Sequence, residues 1–288
     1  MEIGCYLQSP ISLMPSSPSV SELLEVAQDT AVSAGHLACE KWYQPREINS
    51  KGFRDLVTDA DFAVQKLITD KIRAYFPDHG FLTEEDDSDL PPEGSIIWIV
   101  DPIDGTTNYS RQQPNFVVSI AATIPTETGY EPVAGAVYDP TRNELFSGGQ
   151  GLGATLQAGK RSQRMQVSPV SELSEAIISL DWSSSQNQRH TTLGILEHFG
   201  RETFTMRAIG SATMAMAWVA AGRLDAYYNL NLKPWDIAAA AIMVLEAGGN
   251  YTNVNGEPID WGVAGSDCLL SNGRIHQPLL SLIQPKAP

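Results

Sequence analysis

Apolar residues recur at helical spacing near the start of the chain. Ser19 and Glu22 have the spacing of a capping box, which predicts that a helix begins there. The apolar positions that follow form one core-facing stripe: Leu23, Leu24, Ala27, Ala31, Ala34, Leu37, Ala38 and Trp42. A second apolar stripe predicts a helix over residues 61–76, which Pro77 ends because proline cannot continue a helix.

Short apolar and β-branched runs in the middle of the chain predict strands. Residues 96–100 are continuously apolar, which is typical of a buried central strand. Further strands are expected at 117–124, 133–138, 144–147 and 154–157. The Gly-rich segment 148–153 lies between the last two of these and predicts a hairpin rather than a dinucleotide-binding loop, because no helix follows it. This half therefore predicts helices on a mostly antiparallel sheet.

The rest of the chain alternates between strands and helices. Strands are expected at 176–180, 203–209, 226–230 and 268–270, and helices at 190–199, 211–221 and 237–247. This alternation favours an α/β half. We expect a loose tail over 1–18, an α+β half over 19–160 and an α/β half over 161–288, joined as one compact unit with a division near Lys160.

Charge and composition exclude several classes of function. The 288 residues carry 34 Asp and Glu against 19 Lys and Arg, a net charge of −15. Nucleic-acid and anionic-membrane binders need the opposite excess, so neither partner is expected. No apolar run reaches 18 residues, so we expect no membrane helix. The first 20 residues lack the basic start and the long apolar run of a secretory signal, so we expect a cytoplasmic protein. The three cysteines, Cys5, Cys39 and Cys268, predict neither disulfides nor a zinc site.

The segment from Asp101 to Asn108 carries the strongest chemical signal. Asp101 ends the predicted buried strand, Pro102 follows it, and Asp104 comes three residues later. Gly105 permits a close backbone approach, and the helix that could begin there would turn free N–H groups towards an anion. Two carboxylates beside such amides suit a divalent cation with a phosphate. An Asx turn followed by a helix N-cap explains the same residues and stays open.

Other acids repeat this ambiguity. Asp55, Asp59 and Asp61 stand where the second helix begins, where acids also complement the helix dipole. Glu84 and Glu85 belong to an acidic loop, which alone predicts a solvated turn. Asp236 precedes an Ala-rich helix and alone predicts an ordinary N-cap.

Taken together and in this order, these motifs resemble the inositol monophosphatase family, within the superfamily of fructose-1,6-bisphosphatases and nucleotide 3′-phosphatases. The resemblance covers about residues 20–275. It rests on residues 55–61, Glu84 with Glu85, residues 101–108, residues 210–212, residues 234–236 and residues 246–249. It implies a layered αβαβα fold, Mg²⁺ dependence and hydrolysis of phosphate monoesters, which react extremely slowly without a catalyst.

The resemblance also implies a role for each matching residue. Glu84, Asp101 and the Ile103 carbonyl would hold a first Mg²⁺, and Asp101, Asp104 and Asp236 a second. A third ion would lie on Glu84, giving two to three ions per site, with Mn²⁺ as a possible substitute. Asp61, Thr106 and Glu84 form the expected catalytic set, in which Thr106 and Asp61 position and help deprotonate the attacking water. The expected substrate-binding residues are Asp104, Gly105, Thr106, Gly210, Ser211, Ala212, Asn229 and Asp236.

Two positions depart from the family pattern. Inositol-preferring members have Glu at the position of Asn229, so this chain has an amide in place of a charge. Thr83 replaces a Gly that many relatives have before the two acids.

We expect hydrolysis of inositol monophosphate to inositol and phosphate. Fructose-1,6-bisphosphate, histidinol phosphate or a nucleotide 3′-phosphate are alternative substrates, and a non-catalytic metal-binding regulator is the alternative of another class. A homodimer and lithium inhibition are implied by the resemblance alone.

Overall fold

The computed structural model describes residues 17–44, 47–52, 55–85, 92–127, 129–183, 185–262 and 264–284. The helices are α1 (Val20–Trp42), α2 (Asp59–Tyr75), α3 (Thr106–Ser110), α4 (Gln186–Glu202), α5 (Ala212–Ala220), α6 (Pro234–Glu246) and α7 (His276–Ile283). The strands are β1 (Ile48–Gly52), β2 (Asp55–Thr58), β3 (Gly80–Thr83), β4 (Ile97–Asp104), β5 (Val117–Thr126), β6 (Gly129–Asp139), β7 (Glu144–Gly149), β8 (Gly153–Ala158), β9 (Arg161–Arg164), β10 (Ile177–Leu180), β11 (Thr205–Arg207), β12 (Ala226–Leu232), β13 (Asn250–Thr252) and β14 (Ser266–Ser271). The expected tail over 1–18 lies outside the described residues up to residue 16.

Two larger sheets organise these strands. The 7-stranded sheet has the order β3-β4-β5-β6-β7-β8-β9, and every neighbouring pair except β3 with β4 is antiparallel. The 5-stranded sheet has the order β11-β10-β12-β14-β13, in which β10 runs parallel to β11 and β12. A mostly antiparallel first sheet and a mixed second sheet agree with the predicted fold class.

Helices cover both sheets in five layers. Helices α1 and α2 pack on one face of the first sheet, whose other face packs on α6. Helices α5 and α6 contact each other and lie between the two sheets, and α4 and α7 cover the outer face of the second sheet. The order is therefore αβαβα, and the predicted layered fold is confirmed.

The helix starts follow from their capping residues. Ser19 and Glu22 form the predicted capping box at the start of α1. Helix α2 begins at Asp59, two residues before the predicted start, because Thr58 caps it and Asp61 completes a second capping box. The prediction placed Asp61 at the first position of the helix. In the structure Asp61 is the third residue of α2, still in its first turn.

Several short elements were not predicted. The β1–β2 hairpin and strands β3, β9 and β13 are each three to five residues long and mostly lie at sheet edges, where no long apolar run marks a strand. Strand β9 pairs with β8, so the first sheet continues four residues beyond Lys160. The division into 19–160 and 161–288 stays a prediction. Among the described residues, no helix combines the length and the apolar character that crossing a bilayer requires.

A glycine sets how closely α6 packs on the first sheet. A Cβ on Gly135 of β6 would lie 2.6 Å from the backbone oxygen of Ala239 and 3.0 Å from Cγ2 of Ile242, both in α6. Only a residue without a side chain lets the helix approach this closely. The position of α6 therefore depends on Gly135.

We expect Gly135→Ala to lower the free energy of unfolding by about 1–3 kcal/mol, because the added methyl group overpacks this contact. Gly194→Ala is the matched control: among the described residues, no atom outside the two chain neighbours and the nearby backbone of α4 lies within 4 Å of a Cβ at this position. Replacing a helical Gly with Ala should stabilise by up to about 1 kcal/mol. Urea unfolding of both variants measures the difference, and equal stabilities would contradict the packing argument.

Candidate active site

Strand β4 carries the first two carboxylates of the site. It is buried along its whole length, and its pairing with β5 shifts register between Asp101 and Asp104. Pro102 lies in this interval, where a residue without an N–H group fits a bulge better than a regular ladder. The Asp101 side chain accepts a hydrogen bond from the Ile103 N–H at 3.0 Å, which tightens the turn. The bulge thus brings two acids close together at the end of one strand.

Asp104 connects this strand to the start of α5. One of its oxygens accepts hydrogen bonds from Ser211 Oγ at 2.7 Å and from the Thr213 N–H at 2.6 Å. Ser211 is the N-cap of α5, so the carboxylate sits where free N–H groups and the helix dipole favour negative charge. This contact joins the two halves of the chain at the site.

Asp236 comes from the first turn of α6. Its side chain accepts a hydrogen bond from the Lys233 N–H at 2.7 Å, as a carboxylate at the third helical position does. Thr213 Oγ1 donates to the Asp236 carbonyl at 2.9 Å, which links α5 to α6. The N-cap interpretation of Asp236 is wrong, because α6 begins three residues earlier than predicted, at Pro234, and Lys233 is its N-cap; Asp236 completes the capping box from the third helical position and also belongs to the cluster.

Asp101, Asp104 and Asp236 each bring one carboxylate oxygen to within 4.8 Å of the others. Burial, and then the charges of Glu84 and Asp104, raise the pKa of Asp101 well above its usual range. Burial also raises the pKa of Asp104, against the hydrogen bonds from Ser211 and Thr213. Burial and the charge of Asp104 raise the pKa of Asp236 well above its usual range. Three such carboxylates can all ionise only if a cation compensates them.

The donor atoms fit a hard divalent cation. Glu84 follows β3, and its N–H donates to the Val100 carbonyl at 3.1 Å, which holds it beside β4. Its neighbour Glu85 is held to α2 instead, because Gln65 bonds both backbone groups of Glu85. All candidate donors around the cluster are carboxylate or carbonyl oxygens, which Mg²⁺ and Mn²⁺ prefer and structural zinc sites rarely use. The residues present therefore fit the expected metal.

Thr106 and Asp61 form a second polar pair beside the cluster. Asp61 is fully buried, and one of its oxygens accepts hydrogen bonds from the Thr58 N–H at 2.8 Å and from Thr58 Oγ1 at 2.6 Å. Thr106 Oγ1 lies 3.4 Å from the other Asp61 oxygen and 3.0 Å from the Ile103 carbonyl. The capping of α2 thus fixes the orientation of Asp61 towards Thr106.

Two glycines line the cavity where helices begin: Gly105 before α3 and Gly210 before α5. Gly105 precedes α3 with φ +99°, and a Cβ there would lie 2.7 Å from the Asn115 carbonyl. Asn108 Nδ2 donates to the carbonyls of Ile209 and Gly210 at 2.9 and 3.2 Å. Asn108 therefore ties the segment that precedes α5 to α3.

These elements surround a cavity of about 760 Å³. The predicted site residues that line it are Glu84, Asp104, Gly105, Thr106, Gly210, Ala212, Asn229 and Asp236. The other predicted site residues lie behind these: Asp61 bonds Thr106, Ser211 bonds Asp104, the Ile103 carbonyl bonds Thr106, and Asp101 joins the carboxylate cluster. All predicted site residues thus lie at or directly behind one cavity, although their roles stay predictions.

Sequence reasoning missed several residues that line the same cavity. They are Asp181, Trp182, Arg189, Tyr227 and Lys233. Asp181 directly follows β10, which runs parallel to β12, and ligand sites of α/β sheets lie at the carboxyl ends of such strands. That rule could have identified Asp181 from the predicted strand alone.

Comparisons with known proteins agree on one family. The model of the inositol monophosphatase family matches residues 19–286. Nus factor SuhB of Escherichia coli K12 is 37% identical over 237 residues, covering 81% of this chain and 86% of the relative. Inositol monophosphatase 1 of Solanum lycopersicum is 35% identical, covering 86% and 90% of the two chains. A fructose-1,6-bisphosphatase/inositol-1-monophosphatase of Thermotoga maritima is 34% identical, covering 86% and 91%.

Solved structures show the same similarity. An IMPase of Thermotoga maritima superposes with a TM-score of 0.80 at 33% identity, covering 91% of this chain and 96% of that one. An IMPase/NADP phosphatase complexed with Mg²⁺ and phosphate gives a TM-score of 0.78 at 26% identity, covering 93% and 97%. With a family model that spans nearly the whole described chain and relatives that are 34–37% identical over most of it, this chain belongs to the inositol monophosphatase family.

Proposed function

We propose that this chain is a Mg²⁺-dependent phosphomonoesterase that hydrolyses inositol monophosphate to inositol and phosphate. The observation that carries the proposal is the cluster of Asp101, Asp104 and Asp236, whose oxygens lie within 4.8 Å of one another beside the Thr106–Asp61 pair. A purely structural cluster would be costly, because burying like charges without a compensating cation is unfavourable.

The residues that would hold the metal are Glu84, Asp101, the Ile103 carbonyl, Asp104 and Asp236. Two to three Mg²⁺ ions, or Mn²⁺ in their place, would compensate the carboxylates and supply the positive charge that a phosphoryl group needs in its transition state. The relative crystallised with Mg²⁺ and phosphate supports this choice of ligand.

The chain's own residues would then orient the reactants. Thr106 Oγ1, between Asp61 and the Ile103 carbonyl, can hold a water molecule, and Asp61 can accept its proton through this hydroxyl group. The backbone N–H groups of Gly105 and Thr106 would donate to phosphate oxygens at the start of α3. The pocket for the alcohol part of the substrate would be formed by Gly210, Ser211, Ala212 and Asn229.

A different phosphate ester is the nearest alternative, and Asn229 is the observation that favours it. Its amide replaces the charged group of inositol-preferring relatives, and the Thermotoga maritima relative carries both fructose-1,6-bisphosphatase and inositol-1-monophosphatase in its name. The Nus factor name of the Escherichia coli relative supports a regulatory role as the alternative of another class. The intact Thr106–Asp61 pair favours an enzyme, since a regulator has no need of it.

Two further proposals rest on the resemblance alone. We propose a homodimer, which sedimentation velocity would measure, and inhibition by lithium, which the assay below would measure. Neither changes the assignment of the site.

Phosphate release with inositol-1-phosphate as substrate tests the function. We expect turnover with Mg²⁺ and none after chelation, and we expect Asp104→Asn to lower kcat/KM by about 10²-fold or more, since an interaction with developing charge is lost. Asp70→Asn is the control, because Asp70 is exposed and forms a 2.8 Å ion pair with Lys66 on the surface of α2. Activity that survives chelation would exclude the mechanism. Turnover of fructose-1,6-bisphosphate, histidinol phosphate or a nucleotide 3′-phosphate in preference would support the alternative substrates, and no turnover of any monoester would support a regulator.

Replacing Thr106 separates its hydroxyl group from its backbone N–H. We expect Thr106→Ala to lower kcat by about 10²- to 10⁴-fold, the usual range for lost proton transfer. Thr106→Ser keeps the hydroxyl group and should retain most of the activity. Mg²⁺ binding, measured by calorimetry, should stay within a few-fold in both variants. Equal kcat values for the Ala and Ser variants would contradict a role for the hydroxyl group.

A further inference from the structure

A chain of hydrogen bonds runs along the cavity wall that the carboxylate cluster does not form. Asp181, just after β10, accepts the Gly210 N–H on one oxygen at 2.8 Å and the Tyr227 hydroxyl on the other at 3.3 Å. Asn229, two residues after Tyr227 on β12, donates from Nδ2 to the Tyr227 hydroxyl at 3.0 Å. All three side chains are buried and line the cavity. This series of hydrogen bonds thus connects Asn229, where inositol-preferring relatives have a charged Glu, to the carboxylate of Asp181.

The direction of these bonds is fixed. Asn229 Oδ1 accepts the Leu230 N–H at 2.8 Å, so the amide must present its NH₂ group to Tyr227. The Tyr227 hydroxyl therefore accepts from Asn229 and donates its single proton to Asp181. The series of hydrogen bonds therefore ends on Asp181 as the acceptor. Its carboxylate is the group on this wall that can carry a negative charge.

Asp181 has capacity for another hydrogen bond. An ionised carboxylate offers about four lone-pair sites, and the N–H groups of Gly210 and Ile209 and the Tyr227 hydroxyl occupy three of them, which leaves one for a ligand. The residue is 9% exposed, in contact with the cavity. Burial raises the pKa of Asp181 to about 7, so a donor from a ligand would favour its charged form near neutral pH.

The chemistry of this wall selects the part of the substrate that fits against it. A carboxylate repels a phosphate group but accepts a hydrogen bond from an alcohol. The phosphate belongs with the compensated cluster at Asp104 and Asp236, which leaves the alcohol portion to face Asp181. A hydroxyl group on that portion could donate to the remaining lone pair of Asp181.

We propose that Asp181 is a specificity-determining residue that accepts a hydrogen bond from a hydroxyl group of a polyol phosphate, and that Tyr227 positions it. The inference deepens the proposed function and rests on it. It assigns the selectivity for the alcohol portion to Asp181, with Asn229 acting through Tyr227.

The test compares kcat/KM for inositol-1-phosphate with kcat/KM for phenyl phosphate, which has no alcohol hydroxyl group. We expect Asp181→Asn to lower the ratio of the two values by about 10- to 100-fold, the usual effect of a lost hydrogen bond to a charged group. Tyr227→Phe should lower it about 3- to 10-fold, because it removes only a neutral hydrogen bond. In both variants the loss should appear in KM for inositol-1-phosphate more than in kcat. Glu175→Gln removes an exposed charge of the same half and should leave the ratio unchanged.

The outcomes separate this inference from the proposed function. If the wild type hydrolyses both esters and Asp181→Asn leaves the ratio of the two kcat/KM values unchanged, the inference is wrong and the phosphatase assignment stands. This outcome includes an equal loss of kcat/KM for both esters. Equal losses would indicate that Asp181 only supports the Gly210 turn. If the wild type hydrolyses neither ester, the proposed function fails and the inference fails with it.

Discussion

Repulsion among closely spaced, largely buried carboxylates is the constraint on which the arrangement of this molecule depends. One carboxylate oxygen from each of Asp101, Asp104 and Asp236 lies within 4.8 Å of the others; Asp101 and Asp104 are buried and Asp236 is half-buried. Each one accepts a hydrogen bond from a backbone N–H: that of Ile103 for Asp101, Thr213 for Asp104 and Lys233 for Asp236. These bonds fix where the oxygens are but cannot neutralise three charges. A divalent cation would, and the proposed metal and the residues that would hold it then form one electrostatic unit.

The fold holds that unit together from elements far apart in the chain. Strand β4 in the first sheet supplies two acids and α6 supplies the third, and α5 lies between them through Thr213, which bonds both Asp104 and Asp236. Gly135 lets α6 approach the first sheet closely enough for this. The αβαβα layering is thus what makes the site possible, because both central helices begin at the cavity and are buried between the two sheets.

Much of this arrangement is predictable from the sequence, for identifiable reasons. The long amphipathic helices, the buried strand before Asp101 and the capping box at Ser19 have strong local patterns, and the structure follows them. The acids of the site were predicted because their order resembles a known family, whereas each one alone also fits a turn or a helix cap. In the structure, Asp61 and Asp236 complete the capping boxes of α2 and α6; Asp236 also lines the cavity, and Asp61 lies behind it, beside Thr106. The short edge strands were missed because three to five residues carry little pattern. Asp181 could have been identified from its place directly after a predicted strand, but its hydrogen bond to Tyr227, 46 residues away on a neighbouring strand, could not.

The central claim is that the two halves of the chain meet to hold a divalent cation on these carboxylates. The most direct measurement is X-ray diffraction from crystals soaked in Mn²⁺, with anomalous scattering used to locate the ion. We predict an anomalous peak in contact with the carboxylates of Asp101, Asp104 and Asp236, and its loss in crystals of Asp104→Asn. A wild-type crystal without a peak at these carboxylates, or with a peak that persists unchanged in Asp104→Asn, would contradict the account.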